Sequence, residues 1–153
     1  MAETIIALSE QLFDLLQKDS FALLSTIDHE TGSPATNAIS WLFAKDRTTV
    51  RFAVDQRSRI LTNIKQHAHV NLTVIGAGSV FVIYGSARQV AEALDGVPFK
   101  LACYDIDIAS VRDAMFYGAR ISVAPEYEKT YDKRAAEKLD TQVFDAMKKP
   151  KTV

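Results

Sequence analysis

This sequence predicts a mainly β, α+β fold: an antiparallel barrel of six or seven strands, closed or nearly closed, with a few helices at its periphery. Short runs of strand-forming residues follow one another through most of the chain, broken by polar or glycine-containing turns. The first of these turns are too short to hold a crossover, so the strands they join are antiparallel. Closure follows because an open sheet of this size would leave long edges free to pair with other chains.

The elements follow in chain order. From Glu3 to Lys18 the apolar residues Ile6, Leu8, Leu12, Phe13, Leu15 and Leu16 form a helical stripe bounded by Thr4 and Asp19. Strands are predicted over Phe21–Asp28, then Pro34–Ala44 after the HETGS break, then Thr49–Val54 after the polar turn Lys45-Asp46-Arg47. A second helix spans about Ser58–Gln66, with Ile60, Leu61 and Ile64 on one face. Val70–Ile75 and Ser79–Val90 form a hairpin across Gly76-Ala77-Gly78, where glycine suits positive φ. In Lys100–Ile108, Tyr104, Ile106 and Ile108 alternate with Cys103, Asp105 and Asp107, which favours a strand. Val111–Phe116 reads as a short helix and Ala119–Val123 as a last strand. From Glu128 to Met147 the positions Tyr131, Ala135, Leu139, Val143 and Met147 recur every four residues, a helix that ends before Pro150.

At 153 residues the chain is expected to form one domain over residues 1–153, and 48% hydrophobic with 24% charged residues is a globular composition. A net charge of −1 gives no dominant basic surface, which argues against a general nucleic-acid binder. The basic end at Lys148, Lys149 and Lys151 reads as solvated. No apolar run reaches membrane-spanning length and no basic-then-hydrophobic leader opens the chain, so no membrane partner and a cytoplasmic location are expected. Cys103 is the sole cysteine, which removes an internal disulfide and a thiolate metal site and leaves a buried small hydrophobe.

The segment most suggestive of function is Arg51–Asn63, RFAVDQRSRILTN, a strand running straight into a helix with Arg57, Ser58 and Arg59 at the join. A helix N-terminus offers unpaired N–H groups and the positive end of a dipole, a natural seat for a phosphate. Two guanidinium groups and a hydroxyl would add charge-assisted hydrogen bonds, although a cap with two solvated arginines satisfies the same pattern.

The order FALLSTID, a glycine-containing turn, PATNAISWLFA, a polar turn, TVRFAVDQRSRILTNI, HVNLTVI and SVFVIYGSARQV resembles the FMN-binding split barrel of the pyridoxamine 5′-phosphate oxidase-like superfamily. The likeness covers roughly Asp19 to Val90. It implies a split barrel with peripheral helices and a homodimer that holds flavin in the groove between subunits. Matched position by position, Ser58 and Arg59 correspond to the pair gripping the FMN phosphate, with Arg57 adjacent. Asn37, Ala38, Ile39, Ser40 and Trp41 correspond to the strand beside the isoalloxazine ring, whose main chain would bond the ring's polar edge. Phe52, Ala53, Val54 and Asp55 correspond to the strand lining the ribityl chain and ring. Asn37 and Ser40 are three apart, so their side chains fall on opposite faces unless a bulge intervenes. Trp41 could stack on a flavin or fill a dimer interface.

Two departures separate this sequence from true pyridoxamine phosphate oxidases. Its C-terminal EKTYDKRAAEKLDTQVF lacks their aromatic- and arginine-rich segment, and the flavin-holding glutamine of their fifth strand falls near Val80. The chain looks more like the shorter members described as general stress proteins or flavin reductases. The resemblance therefore implies an FMN-dependent oxidoreductase moving hydride to or from a small molecule or a nicotinamide cofactor. Two alternatives are a flavin-binding stress-response protein without turnover and a haem-binding split barrel. No protein acid–base pair, nucleophile or metal set stands out. His29 reads as a solvated loop residue, His67 and His69 as helix C-terminal groups, and Asp105 and Asp107 as an exposed or interface face. Tyr127, Lys129, Tyr131, Lys133 and Arg134 read as a solvated helix face.

Overall fold

The computed structural model describes residues 4–151. Its elements are α1 (Glu10–Leu15), β1 (Ala22–Ile27), β2 (Pro34–Ile39), β3 (Leu42–Asp46), β4 (Thr49–Asp55), α2 (Arg59–Gln66), β5 (His69–Gly76), β6 (Ser79–Ala91), β7 (Leu101–Asp113) and α3 (Lys133–Lys148). Every strand pairing is antiparallel, in one seven-stranded sheet of order β2-β1-β5-β6-β7-β4-β3. The fold is the mainly β, α+β split barrel that the sequence predicts.

The split has a simple origin. β2 and β3 are the two edges of the sheet, yet only Ser40 and Trp41 separate them in the chain. Three peptide units span on the order of 11 Å even when extended, so the sheet must curl until its edges nearly meet. Pro34–Ala44 is therefore two strands where the sequence suggests one. Ile39 pairs with Ala22 of β1, whereas Leu42 pairs with Phe52 of β4, and the break lets one segment serve two diverging ladders. The Ala53 N–H donates to the Trp41 carbonyl at 3.0 Å and fixes the far side of the break.

Inside the barrel lie Leu24, Phe52, Leu72, Ile83 and Ile106, with Leu12 and Leu16 of α1 and Ile60, Leu61 and Ile64 of α2 packed onto them. A second cluster sits outside the sheet, where Val143 and Met147 of α3 cover Ala53, Leu101 and Cys103. β4 is thus buried on both faces, which explains why TVRFAVD shows no clean alternation. On that outer face Arg51 makes a bidentate pair with Asp105 at 2.7 and 3.0 Å and donates from Nη1 to the Met147 carbonyl at 3.0 Å. Asp105, expected on an exposed or interface face, is buried by α3, while Asp107 remains exposed and pairs with Arg88 at 3.1 Å.

Other boundaries also move. Val111–Phe116 is not a helix: β7 continues to Asp113 because its residues complete a ladder with Phe81–Ile83 and a bridge to Ile5. Ala119–Val123 forms no strand; Ile121 N–H reaches the Gly78 carbonyl at 2.8 Å and the chain then runs irregularly. The first helix starts only at Glu10, capped by Ser9, whose Oγ accepts from Leu12 N–H at 3.2 Å. Glu3, where it was expected to begin, lies outside the described residues. α3 starts at Lys133 rather than Glu128 because Asp132 caps it, accepting from Ala135 N–H at 3.0 Å. Tyr127 and Lys129 therefore precede the helix, and both are engaged: Tyr127 donates to Asp19 at 2.6 Å and Lys129 pairs with Asp140 at 3.4 Å.

Candidate functional site

β4 leaves the core at Asp55, and a tight turn converts its direction into that of α2. The Asp55 carboxylate accepts from Arg57 N–H at 2.8 Å, its carbonyl accepts from Ser58 N–H at 2.9 Å, and Ser58 caps the helix by accepting from Ile60 N–H at 3.2 Å. Opposite this turn stands the end of β2 and the break that follows it. Between them lies an open hollow of about 330 Å³, bordered by Asn37, Ala38, Ile39, Ser40, Trp41, Ala53, Val54, Asp55, Ser58 and Ile60. The residues expected to hold a cofactor are thus largely gathered in one place, and Ile60 joins them. Asn37 and Ser40 both border the hollow, because the strand ends at Ile39 and alternation stops there.

Phe52, Arg57 and Arg59 do not border it. Phe52 points into the barrel and stacks on Tyr104, with centroids 6.0 Å apart and rings 23° from parallel. Arg57 is 92% exposed and folds back on Asp55 at 3.2 Å, which lowers the Asp55 carboxyl's pKa and raises that of the guanidinium. Arg59 turns to the β1–β2 hairpin, where its Nε meets Asp28 Oδ1 at 2.7 Å and its Nη2 meets Oδ2 at 3.2 Å. The Arg59 guanidinium, with help from Thr31 and Glu30 N–H groups, holds the Asp28 carboxyl far below the usual carboxylate range.

A second connection ties the same hairpin to α2. Asn63, buried, accepts from His29 N–H at 2.9 Å, lies 2.8 Å from His29 Nδ1, and donates to Thr26 Oγ at 3.0 Å. His29 is accordingly part of a packed junction rather than a solvated loop. Trp41 is likewise committed: its indole N–H donates to Asp140 of α3 at 2.9 Å and its ring stacks on Phe99, centroids 5.9 Å apart. Sequence reasoning missed Asp28, Phe99 and Asp140. The DHETG pattern signals a side-chain-capped turn at Asp28, but nothing local names Arg59 as its partner.

Chemically the hollow offers main-chain groups along a strand, an apolar floor of Ile39, Val54 and Ile60, and hydroxyl and amide groups at its rim. Burial pushes the Cys103 thiol up to about 12, which leaves it inert as a nucleophile. Among the described residues no histidine borders the hollow. Among the described residues no group of His, Cys, Asp or Glu is arranged to hold a metal ion, and no helix is long and apolar enough to cross a membrane.

A split barrel with a hollow beside the strand-to-helix turn defines a class of β-barrel proteins. The chain belongs to the pyridoxamine 5′-phosphate oxidase family, whose sequence model matches residues 8–106, from α1 into β7. No curated protein matches it. Among solved structures it is similar to a candidate pyridoxamine 5′-phosphate oxidase from Lactobacillus delbrueckii, at 17% identity and TM-score 0.60 over 69% of this chain and 93% of that one. It is similar also to the General Stress Protein 26 of Bacillus anthracis, at 15% identity and TM-score 0.55 over 67% of this chain and 89% of that one. An F420 reductase shares 16% identity and a TM-score of 0.57 over 69% of this chain and 98% of that one. At such identities these likenesses speak to the fold.

Proposed function

We propose that this protein is an FMN-dependent oxidoreductase that passes hydride between a nicotinamide cofactor and a small organic molecule. The observation that carries the reading is the hollow formed where the β2–β3 break faces the β4–α2 turn. Its volume, about 330 Å³, lies at the lower end of the roughly 300–1,000 Å³ of small-molecule sites. That size and its open side suit half of a site that a second copy of the chain completes. The residues present fit the group: apolar Ile39, Val54 and Ile60 with polar Asn37 and Ser40, and a capped helix N-terminus at Ser58. The main chain of Asn37–Trp41 would meet the ring's hydrogen-bonding edge, Ala53 and Val54 would flank the ring and ribityl chain, and Ser58 with Arg59 would serve the phosphate. The flavin, when bound, supplies the hydride chemistry. The chain's part is to bind, orient and exclude water. Membership of the pyridoxamine 5′-phosphate oxidase family, whose name denotes redox chemistry, supports an oxidoreductase over a purely structural role.

A specific observation favours a second reading, a flavin-binding stress-response protein without turnover. Among the described residues Asp55 is the one titratable group bordering the hollow, and Arg57 lowers its pKa, so this chain's half of the site offers no acid for protonating a substrate. Both readings meet the same experiment. The purified chain should bind FMN with a flavin spectrum and quenched fluorescence, and reduced nicotinamide should bleach it faster than it reduces free FMN. Binding without that acceleration for any acceptor tested selects the storage reading. A chain that neither binds FMN nor gains thermal stability from it rules out both.

A further inference from the structure

We infer that Asp28 is a positioning residue for phosphate recognition: it holds Arg59 at the rim of the hollow in the orientation a cofactor phosphate requires. The inference rests on the flavin reading and concerns the same site. Arg59 lies between Ser58 and Ile60, both of which border the hollow, so its backbone stands at the rim. Its side chain is 53% exposed and, left alone, would sample many rotamers. Instead the Nε–Nη2 edge of the guanidinium is docked on the Asp28 carboxylate at 2.7 and 3.2 Å, with Glu30 a further 3.6 Å contact. Nη1 makes no hydrogen bond among the described residues.

Asp28 can hold the arginine because it is itself fixed. Its Oδ2 accepts from Glu30 N–H at 3.2 Å, Thr31 N–H at 3.0 Å and Thr31 Oγ at 3.1 Å, and only 8% of the residue is exposed. The turn that carries it is closed by Asp28 N–H to Ser33 and Gly32 N–H to Asp28, with Gly32 at φ 74. The same turn is bolted to α2 through Asn63. A planar fork held along one edge presents its other edge in a set direction, and the ordering cost is met before the ligand arrives. Two features argue that this is more than a surface ion pair. The contact crosses 31 residues of chain, and among the described residues its carboxylate is spent on no other side chain except Thr31.

The experiment compares FMN with riboflavin, which has the same ring and ribityl chain but no phosphate. Dissociation constants for both are measured on the full chain by flavin fluorescence, in wild type, Asp28→Asn, Arg59→Ala and the double variant. Asn retains an acceptor for the turn N–H groups but gives up the charged grip on Arg59. Asp28→Asn should weaken FMN binding about tenfold and leave riboflavin within twofold. Arg59→Ala should do the same or more, and the double variant should be no weaker than Arg59→Ala, because both act through one contact. FMN binding that is unchanged or tighter in Asp28→Asn overturns the inference, since the carboxylate would then be neutral or a competitor for Arg59. Equal losses for FMN and riboflavin, or additive losses in the double variant, overturn it as well. A wild-type chain that binds neither flavin overturns the flavin reading itself, and this inference with it.

Discussion

At the residue scale, the arginine that looks most like a free phosphate ligand in the sequence is already paired. Ser58 and the strand residues Asn37–Trp41 were legible because their placement follows from local rules: a cap precedes a helix, and a strand entering a break exposes its main chain. The orientation of Arg59 was not legible, because it depends on a carboxylate 31 residues away that the antiparallel hairpin brings back to the helix. The same holds for Trp41, whose partner Asp140 lies 99 residues away. The Asp28–Arg59 pair has a pH signature whose sign can be worked out. Its carboxyl is held below the unfolded value, which for Asp is about 3.9. A depressed folded-state pKa adds stability above the unfolded pKa and loses it as pH falls through the folded one. The stability gap between wild type and Asp28→Asn should therefore be flat from neutral pH down to about 4, and shrink only in stronger acid. Urea denaturation at a series of pH values measures it. A gap that closes between pH 7 and 5 would show that another group carries the dependence.

At the element scale, the strands with strict alternation were readable and those buried on both faces were not. β5 and β1 alternate cleanly in burial, and their expected extents agree with the structure within a residue or two. β7 misleads because the segment Val111–Phe116 reads as helical, yet Val111–Asp113 pair with Phe81–Ile83, Val111 also bridges to Ile5 and Ala114 N–H donates to the Val80 carbonyl, and that ladder outweighs local preference. The C-terminal helix was visible as a helix, but its role is a tertiary matter: it caps the outer face of β4 and β7, and Arg51 reaches through to its last turn. This makes Asp105 a structural group. Removing one member of a buried ion pair leaves the other charged and unsatisfied, a loss of about 3–5 kcal/mol. Asp105→Ala should cost that much in urea denaturation and should free the end of α3 to proteolysis. Asp107→Ala, two residues on and exposed, should stay within about 0.5 kcal/mol of wild type. Equal, small effects for the two would mean that α3 is held by its apolar face alone.

At the scale of the whole molecule, the proposed function makes the hollow half a site, since it is open and small for a flavin that would need shielding from water. The strand bordering it, β2, is a sheet edge with Thr36, Asn37 and Ala38 exposed. Next to it, pairing places Leu23, Thr73 and Val82 in a row across β1, β5 and β6, all half-buried on the outward side of the sheet. A second copy set against this edge and row would cover apolar surface and roof the hollow at once, so cofactor binding and dimerisation should be linked. Any ligand that binds only the dimer pulls the monomer–dimer equilibrium toward it by mass action. In sedimentation velocity over a range of protein concentrations, added FMN should raise the dimer fraction, and riboflavin should do so less because it binds more weakly. Leu23→Arg places a charge on the outward side without entering the barrel, so the chain should still fold. It should be monomeric at concentrations where wild type is a dimer, and its FMN affinity should fall at least tenfold although Leu23 does not border the hollow. A monomeric Leu23→Arg chain that binds FMN as tightly as wild type would show the site to be complete within one chain, and the dimer to be unconnected with it.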